Sequence, residues 1–145
     1  MTRIQRSARL PHSAAQMYAL VNDIEAYPEF VTWCVGSEVT EAGEHVKQAT
    51  LHFAKGAIHA SLTTRNELIR DRSIVLHLVK GPFRHLSGTW EFQEVDAHSC
   101  DVELLMEFKF SNRLFELTLG PIFSQVANGM IATFKSRAKV VYGGG

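Results

Sequence analysis

Residues 111–145 read SNRLFELTLGPIFSQVANGMIATFKSRAKVVYGGG, and this stretch decides the architecture. Apolar residues recur at three- and four-residue steps: Phe115, Leu119, Ile122, Val126, Met130 and Phe134, with Leu117, Phe123 and Ile131 widening the stripe. That spacing lays them along one broad face of a helix. Ser111 is a candidate N-cap, its hydroxyl placed to accept from a free first-turn N–H. Lys135, Arg137 and Lys139 crowd the last turns, where cations favour the helix dipole. The run Gly143-Gly144-Gly145 stops the helix. Gly120-Pro121 interrupts the pattern. The proline removes a backbone donor and crowds the preceding turn, which predicts a bend or short break. A terminal helix this apolar needs a large partner surface.

The rest of the chain supplies one. Arg3 to Leu10 alternates and reads as a first strand. Pro11-His12-Ser13 ends it, and Ser13 with Gln16 forms a capping-box signal for a short helix to about Asn22. Pro28 fits the first turn of a second small helix. From Gly36 to Phe110 the apolar period changes to two. Strands are predicted over Ser37–Glu41, Val46–Ala54, Ile58–Arg65, Ile74–Val79, Leu86–Phe92 and Val102–Phe110. Turns are predicted at Ala42-Gly43-Glu44, Lys55-Gly56, Arg70-Asp71-Arg72, Gly81-Pro82 and Asp96-Ala97-His98. Strands joined this way form an antiparallel meander with one buried and one wet face. The fold class is therefore α+β: a curved antiparallel sheet wrapped around a long C-terminal helix, with two short helices after the first strand. Where sheet and helix do not meet tightly, the gap is an apolar pocket of the kind that holds a small molecule.

Composition narrows the function. A chain of 145 residues is read as one domain, 1–145, able to bury its own core. The formal net charge of zero argues against a general electrostatic grip on nucleic acid, and no DNA partner is expected. Two cysteines, Cys34 and Cys100, stand far apart and form no CxxC, which points to a reducing compartment. No apolar run approaches membrane-spanning length, and the N-terminus lacks a signal-peptide core. A cytoplasmic protein is expected, with peripheral contact at the inner-membrane surface left open.

Five stretches, in order, resemble one family. They are Val21-Asn22-Asp23-Ile24-Glu25-Ala26-Tyr27-Pro28-Glu29-Phe30, then Thr63-Thr64-Arg65-Asn66, then Gly81-Pro82-Phe83-Arg84-His85-Leu86-Ser87-Gly88-Thr89-Trp90-Glu91-Phe92. Phe108-Lys109-Phe110-Ser111-Asn112 and the end from Met130 to Tyr142 complete the set. The chain resembles the START-like helix-grip superfamily, the SRPBCC or polyketide cyclase and lipid-transport group. This group holds bacterial ribosome-association toxins and mitochondrial coenzyme-Q-binding proteins, and the chain looks closest to the bacterial branch. Thr32 stands where the family often has a proline. The resemblance implies two roles. The first, preferred on the sheet-and-helix gap, is a non-enzymatic protein binding ubiquinone or a related lipid and supporting respiration. The alternative is a toxin that binds the large ribosomal subunit and blocks subunit association. A polyketide cyclase-like enzyme is third. No cofactor is expected beyond a bound ubiquinone or lipid.

Individual residues are weighed against plain structural duty. Seven histidines form no HxH or HExxH, and His52, His59 and His77 fall on the face opposite the apolar residues, so no metal site is expected. No Gly-x-Ser-x-Gly is present, and Glu103 and Glu107 alternate outward, so no catalytic residue is assigned. The candidate ligand cavity is lined by Trp33, Phe53, Leu62, Leu76, Trp90, Phe92, Met106, Phe108, Phe123, Val126, Met130 and Phe134. Most inward residues of a domain this size are core, and a subset of these borders the pocket. Gly88 and Gly129 are read as positions where space is left. Arg65, Arg70, Arg72, Lys80 and Arg84 are read as gathering around one part of the sheet, and Lys135 and Lys139 share a helix face, available for phosphate contacts.

Overall fold

The computed structural model describes residues 1–143, so Gly144 and Gly145 of the terminal glycine run lie outside the described residues. The chain runs β1 (Thr2–Leu10), α1 (Ala14–Asn22), a 3-10 helix (Ile24–Glu29), β2 (Cys34–Ala42), β3 (Val46–Lys55), β4 (Ile58–Ile69), β5 (Ser73–Lys80), β6 (Phe83–Asp96), β7 (Ser99–Phe110) and α2 (Arg113–Tyr142). The strands form one sheet in the order β1-β7-β6-β5-β4-β3-β2, every neighbouring pair antiparallel. Each meander turn falls where the turn residues predict it. Gly56 takes φ 61° between β3 and β4, and Asp71 takes φ 62° between β4 and β5.

Curvature follows from what α2 touches. At the β1 edge Arg6 donates to Asn128 of α2, and near the other edge Phe53 of β3 packs on Phe123 of α2 at 5.3 Å. Five strand spacings separate β1 from β3, about 24 Å if flat. A helix is only about 10–12 Å across. One helix reaches both strands because the sheet wraps around it. Register shifts in β2/β3, β4/β5 and β6/β7 are the kind of irregularity that bends strands.

Several local expectations need correction. The cap of α2 is Asn112, whose Oδ1 accepts from the Phe115 N–H at 2.8 Å. Ser111 instead ties its N–H and hydroxyl to the Pro82 carbonyl, fastening the helix entry to the β5–β6 turn. The helix runs unbroken through Gly120-Pro121. The carbonyl that loses its donor to Pro121 belongs to Leu117, which is exposed, so water can take the donor's place. Phe115 and Leu117 are not part of the inward stripe: with Leu114 they leave an apolar patch on the first turns, Leu114 being 66% exposed. The buried face is Leu119, Ile122, Phe123, Ala127, Ile131, Phe134 and Ala138. The capping box at Ser13 and Gln16 forms as predicted. The second short helix starts earlier than predicted, and Pro28 sits near its end.

Candidate functional site

A cavity of about 90 Å³ lies between the sheet and α2. Its walls come from strands that alternate inward and from one face of the helix. Leu51 and Phe53 come from β3; Leu62, Thr64 and Asn66 from β4; Ile74 and Leu76 from β5; and Phe83, Leu86 and Trp90 from β6. Met106 and Phe108 of β7 and Phe123, Val126, Ala127 and Met130 of α2 complete the wall. Val21, Ile24 and Tyr27 close it from α1 and the 3-10 helix. Among the described residues no charged side chain lines it. Burial pushes the Tyr27 phenol up, and its hydroxyl donates to the Val21 carbonyl, so it enters the wall as a neutral, satisfied group.

Of the residues named from sequence, Phe53, Leu62, Leu76, Trp90, Met106, Phe108, Phe123, Val126 and Met130 border this space. Trp33, Phe92 and Phe134 do not. Trp33 adopts φ 61° at the turn before β2, where its ring lies 4.6 Å beneath the Lys55 ammonium. Phe92 stacks on Trp90 and meets Tyr18 edge-on, so it packs sheet against α1. Phe134 is enclosed by Tyr27, Phe30 and Trp90. Gly88 marks no opening: a Cβ there would come within 3.0 Å of the Leu76 side chain, so the glycine lets that wall residue in. At Gly129 a Cβ would meet nothing within 4 Å, but the residue does not border the cavity.

The polar wall residues Thr64 and Asn66 were missed as site residues because strand alternation alone reads Thr64 as one more inward position, and Asn66 lies one residue past the predicted strand end at Arg65, whereas β4 runs on to Ile69. The signal was their polarity on an otherwise apolar face. Lys47 was missed for the same reason. It shares the inward face of β3 with Ala49 and is only 9% exposed. Its ammonium donates to the Asn22 carbonyl at 2.6 Å and to Glu25 at 3.1 Å, latching β3 to the end of α1 and the 3-10 helix. That bond holds the Glu25 carboxyl below its ordinary range.

The expected single basic region does not form. Arg70 and Arg72 flank the β4–β5 turn, whereas Lys80 and Arg84 flank the β5–β6 turn. The length of β5 puts these groups roughly 25 Å apart. Arg65 is paired with Glu41 at 3.0 Å. A different grouping appears at the start of α2. There Arg84, Lys109 and Arg113 border one cleft with Asn112 and Glu116, beside the exposed Leu114 and Leu117. Among the described residues these three cations make no ion pair. The histidines stay dispersed: His52 bonds Ser61 and Glu38, and His77 pairs with Glu67.

Comparison with known proteins places this geometry. A family model described as polyketide cyclase / dehydrase and lipid transport matches residues 10–135. A ribosome association toxin RatA from Pseudomonas aeruginosa is 44% identical over 142 residues, covering 98% of this chain and 99% of its own. A mitochondrial coenzyme Q-binding protein COQ10 homolog B from Xenopus laevis is more distant, 25% identical over 92% of this chain and 57% of its own length. Among solved structures, the Zhui aromatase/cyclase from Streptomyces sp. R1128 superposes with a TM-score of 0.83 at 17% identity, covering 99% of this chain and 98% of its own. At that identity the likeness is one of fold.

Proposed function

The chain belongs to the polyketide cyclase / dehydrase and lipid transport family, and on that premise we propose that it associates with the ribosome as a ribosome association toxin. The observation that carries this is the 44% identity to such a toxin along 98% of this chain and 99% of the relative. The order of the two expectations drawn from sequence is thereby reversed, since the coenzyme Q-binding relative is only 25% identical. The surface best suited to the task is the cleft at the start of α2. Arg84, Lys109 and Arg113, in no ion pair among the described residues, supply cations for phosphate, and exposed Leu114 and Leu117 supply apolar contact. Gradient sedimentation with ribosomal subunits across a salt series tests the proposal. Co-migration at low salt, lost steeply as salt rises, is the expected result. Charge reversal at Arg84, Lys109 and Arg113 together should abolish it. Absence from subunit fractions at every salt concentration overturns it.

A second reading rests on the cavity: the protein holds a small apolar ligand. A volume of about 90 Å³ is below the roughly 150 Å³ of a cavity known to admit benzene. A quinone ring therefore enters only if the flexible Met106 and Met130 side chains move aside. Among the described residues the walls carry no carboxylate, histidine or lysine to move a proton, which favours binding over acid–base chemistry. Native mass spectrometry and organic extraction of protein from a quinone-producing host test this reading. A co-purifying lipid or quinone supports it. An empty protein that also takes up no added quinone refutes it for quinones.

A further inference from the structure

A ligand reaches a cavity between sheet and helix only where a wall moves aside, and the walls of this one are not equally fixed. The sheet wall is hydrogen-bonded strand to strand. On the α2 wall, Phe123 is packed by Phe53, Phe83 and Phe110. The third wall, made by Val21, Ile24 and Tyr27, is held differently. Among the described residues, the main-chain hydrogen bonds of residues 24–32 are all local: the Ala26 N–H donates to the Asp23 carbonyl, and those of Phe30 and Val31 donate to the Tyr27 carbonyl. The first main-chain bond to the sheet comes at Trp33, whose carbonyl accepts from the Ala54 N–H at 2.9 Å. Side chains fasten the segment instead. Lys47 holds its start through the Asn22 carbonyl and Glu25, and the Ser37 hydroxyl donates to the Glu25 carbonyl at 3.4 Å. Arg137 holds its end, pairing with Glu29 at 3.4 Å and lying 4.8 Å over the Phe30 ring. Both ends are irregular. Asp23 leaves α1 at φ -85° and ψ 68°, and Trp33 takes φ 61°, a left-handed conformation that is costly for a bulky side chain.

We propose that residues 23–33 are the door of the cavity, hinged at Asp23 and Trp33 and latched by Lys47 and Arg137. The proposal rests on the ligand-binding reading above and names the route by which the cavity is reached. Hinge motion is absorbed by a few positions at the ends of an element, which is where the two irregular residues stand. Swinging this segment outward breaks no sheet ladder and no turn of α2. Moving either other wall breaks strand pairing or the aromatic packing around Phe123. The segment's own Ile24, Tyr27 and Val31 are buried, so the closed state dominates and opening is a brief local excursion. Neither latch residue borders the cavity. Loosening a latch therefore makes opening more frequent and leaves the lining as it was.

Hydrogen exchange on the full chain, read by NMR, tests the motion, and the rate of benzene uptake tests its purpose. In wild-type protein the amides of Ala26, Phe30 and Val31 should exchange together, at least about tenfold faster than those of Trp90 and Leu104, which face each other across β6 and β7. Lys47→Met should speed that group about tenfold further and leave the sheet amides unchanged. The benzene on-rate and off-rate should both rise by a similar factor, with little change in affinity. Glu29→Gln, which frees the other end from an exposed position, serves if Lys47→Met does not fold. Segment amides as well protected as the sheet, or acceleration spread over the whole chain, overturn the door. Unchanged benzene rates in a variant whose segment exchanges faster also overturn it; they put the entrance elsewhere and leave the cavity reading standing. Failure of benzene to bind removes the cavity reading, and the door with it.

Discussion

Replacing Phe134 by alanine separates core from cavity wall. Phe134 is 1% exposed, and its ring meets Tyr27 at 5.4 Å, Phe30 at 5.3 Å and Trp90 at 5.5 Å, each edge to face. Truncating a buried phenylalanine costs about 3–5 kcal/mol. Each aromatic pair adds about 0.5–1.5 kcal/mol beyond burial. The partners sit on the 3-10 helix, at its C-cap and on β6, and Tyr27 and Trp90 are themselves buried, so they cannot collapse far into the void. The upper part of the range, about 4–5 kcal/mol, is expected. For a domain of this size that corresponds to a fall in Tm of about 10–15 °C. Val126, by contrast, is half-buried and already borders empty space, so Val126→Ala should cost only about 1–2 kcal/mol. Urea unfolding followed by the fluorescence of Trp33 and Trp90 gives both numbers under one protocol. If Phe134→Ala costs less than about 2 kcal/mol, or no more than Val126→Ala, then Phe134 is not locked in the core and the placement of the cavity beside it is wrong.

Met130→Trp should fill the cavity, leaving a folded protein that no longer takes up apolar ligand; overpacking a site without free space would instead destabilise by about 1–3 kcal/mol, visible in the same melt. Asn112→Ala should cost about 1 kcal/mol by removing the α2 cap, whereas Ser111→Ala should cost less because its backbone N–H keeps the Pro82 carbonyl; equal losses would contradict the cap assignment. Lys47→Met should change the acid limb of stability. The hydrogen bond from Lys47 depresses the Glu25 carboxyl below 4.5, so its contribution is complete above that pH and is lost as the pH falls through the depressed value. Urea midpoints measured on both proteins from neutral pH to about pH 3 should show a shallower decline in Lys47→Met, and identical slopes would mean that the latch does not form in solution.

Most of the architecture was legible because periodicity is a local property. Val102, Leu104, Phe108 and Phe110 alternate because one sheet face is buried, and their burial follows that alternation. Gly56 and Asp71 mark turns because those positions need positive φ. The errors share a cause. Ser111 and Asn112 are both good caps, and the choice between them was made by Pro82, 29 residues away along the chain. Phe115 and Leu117 fit the helical stripe, but every residue from Asn112 to Thr118 is exposed, so no tertiary partner covers the first turns of α2 fully. Pro121 reads as a break, yet the lost hydrogen bond falls on an exposed turn where it costs little.

The candidate site divides the same way. Inward-facing residues of β3 to β7 and α2 could be picked out from alternation and helical spacing, and most of those chosen border the cavity. Which inward residues face the void and which face one another was beyond such patterns, because Phe134 and Met130 occupy one helix face a single turn apart. Their difference comes from Tyr27, Phe30 and Trp90 closing around one and not the other. The grouping of Arg84, Lys109 and Arg113, drawn from three elements, likewise exists only after β6, β7 and α2 have been brought together. By itself the sequence determined the elements, their order, the antiparallel meander and the long terminal helix, since each depends on near neighbours in the chain. Only the tertiary structure decided where the helix and the curved sheet part company. That gap is the difference between two surfaces whose shapes are set by residues far apart in sequence.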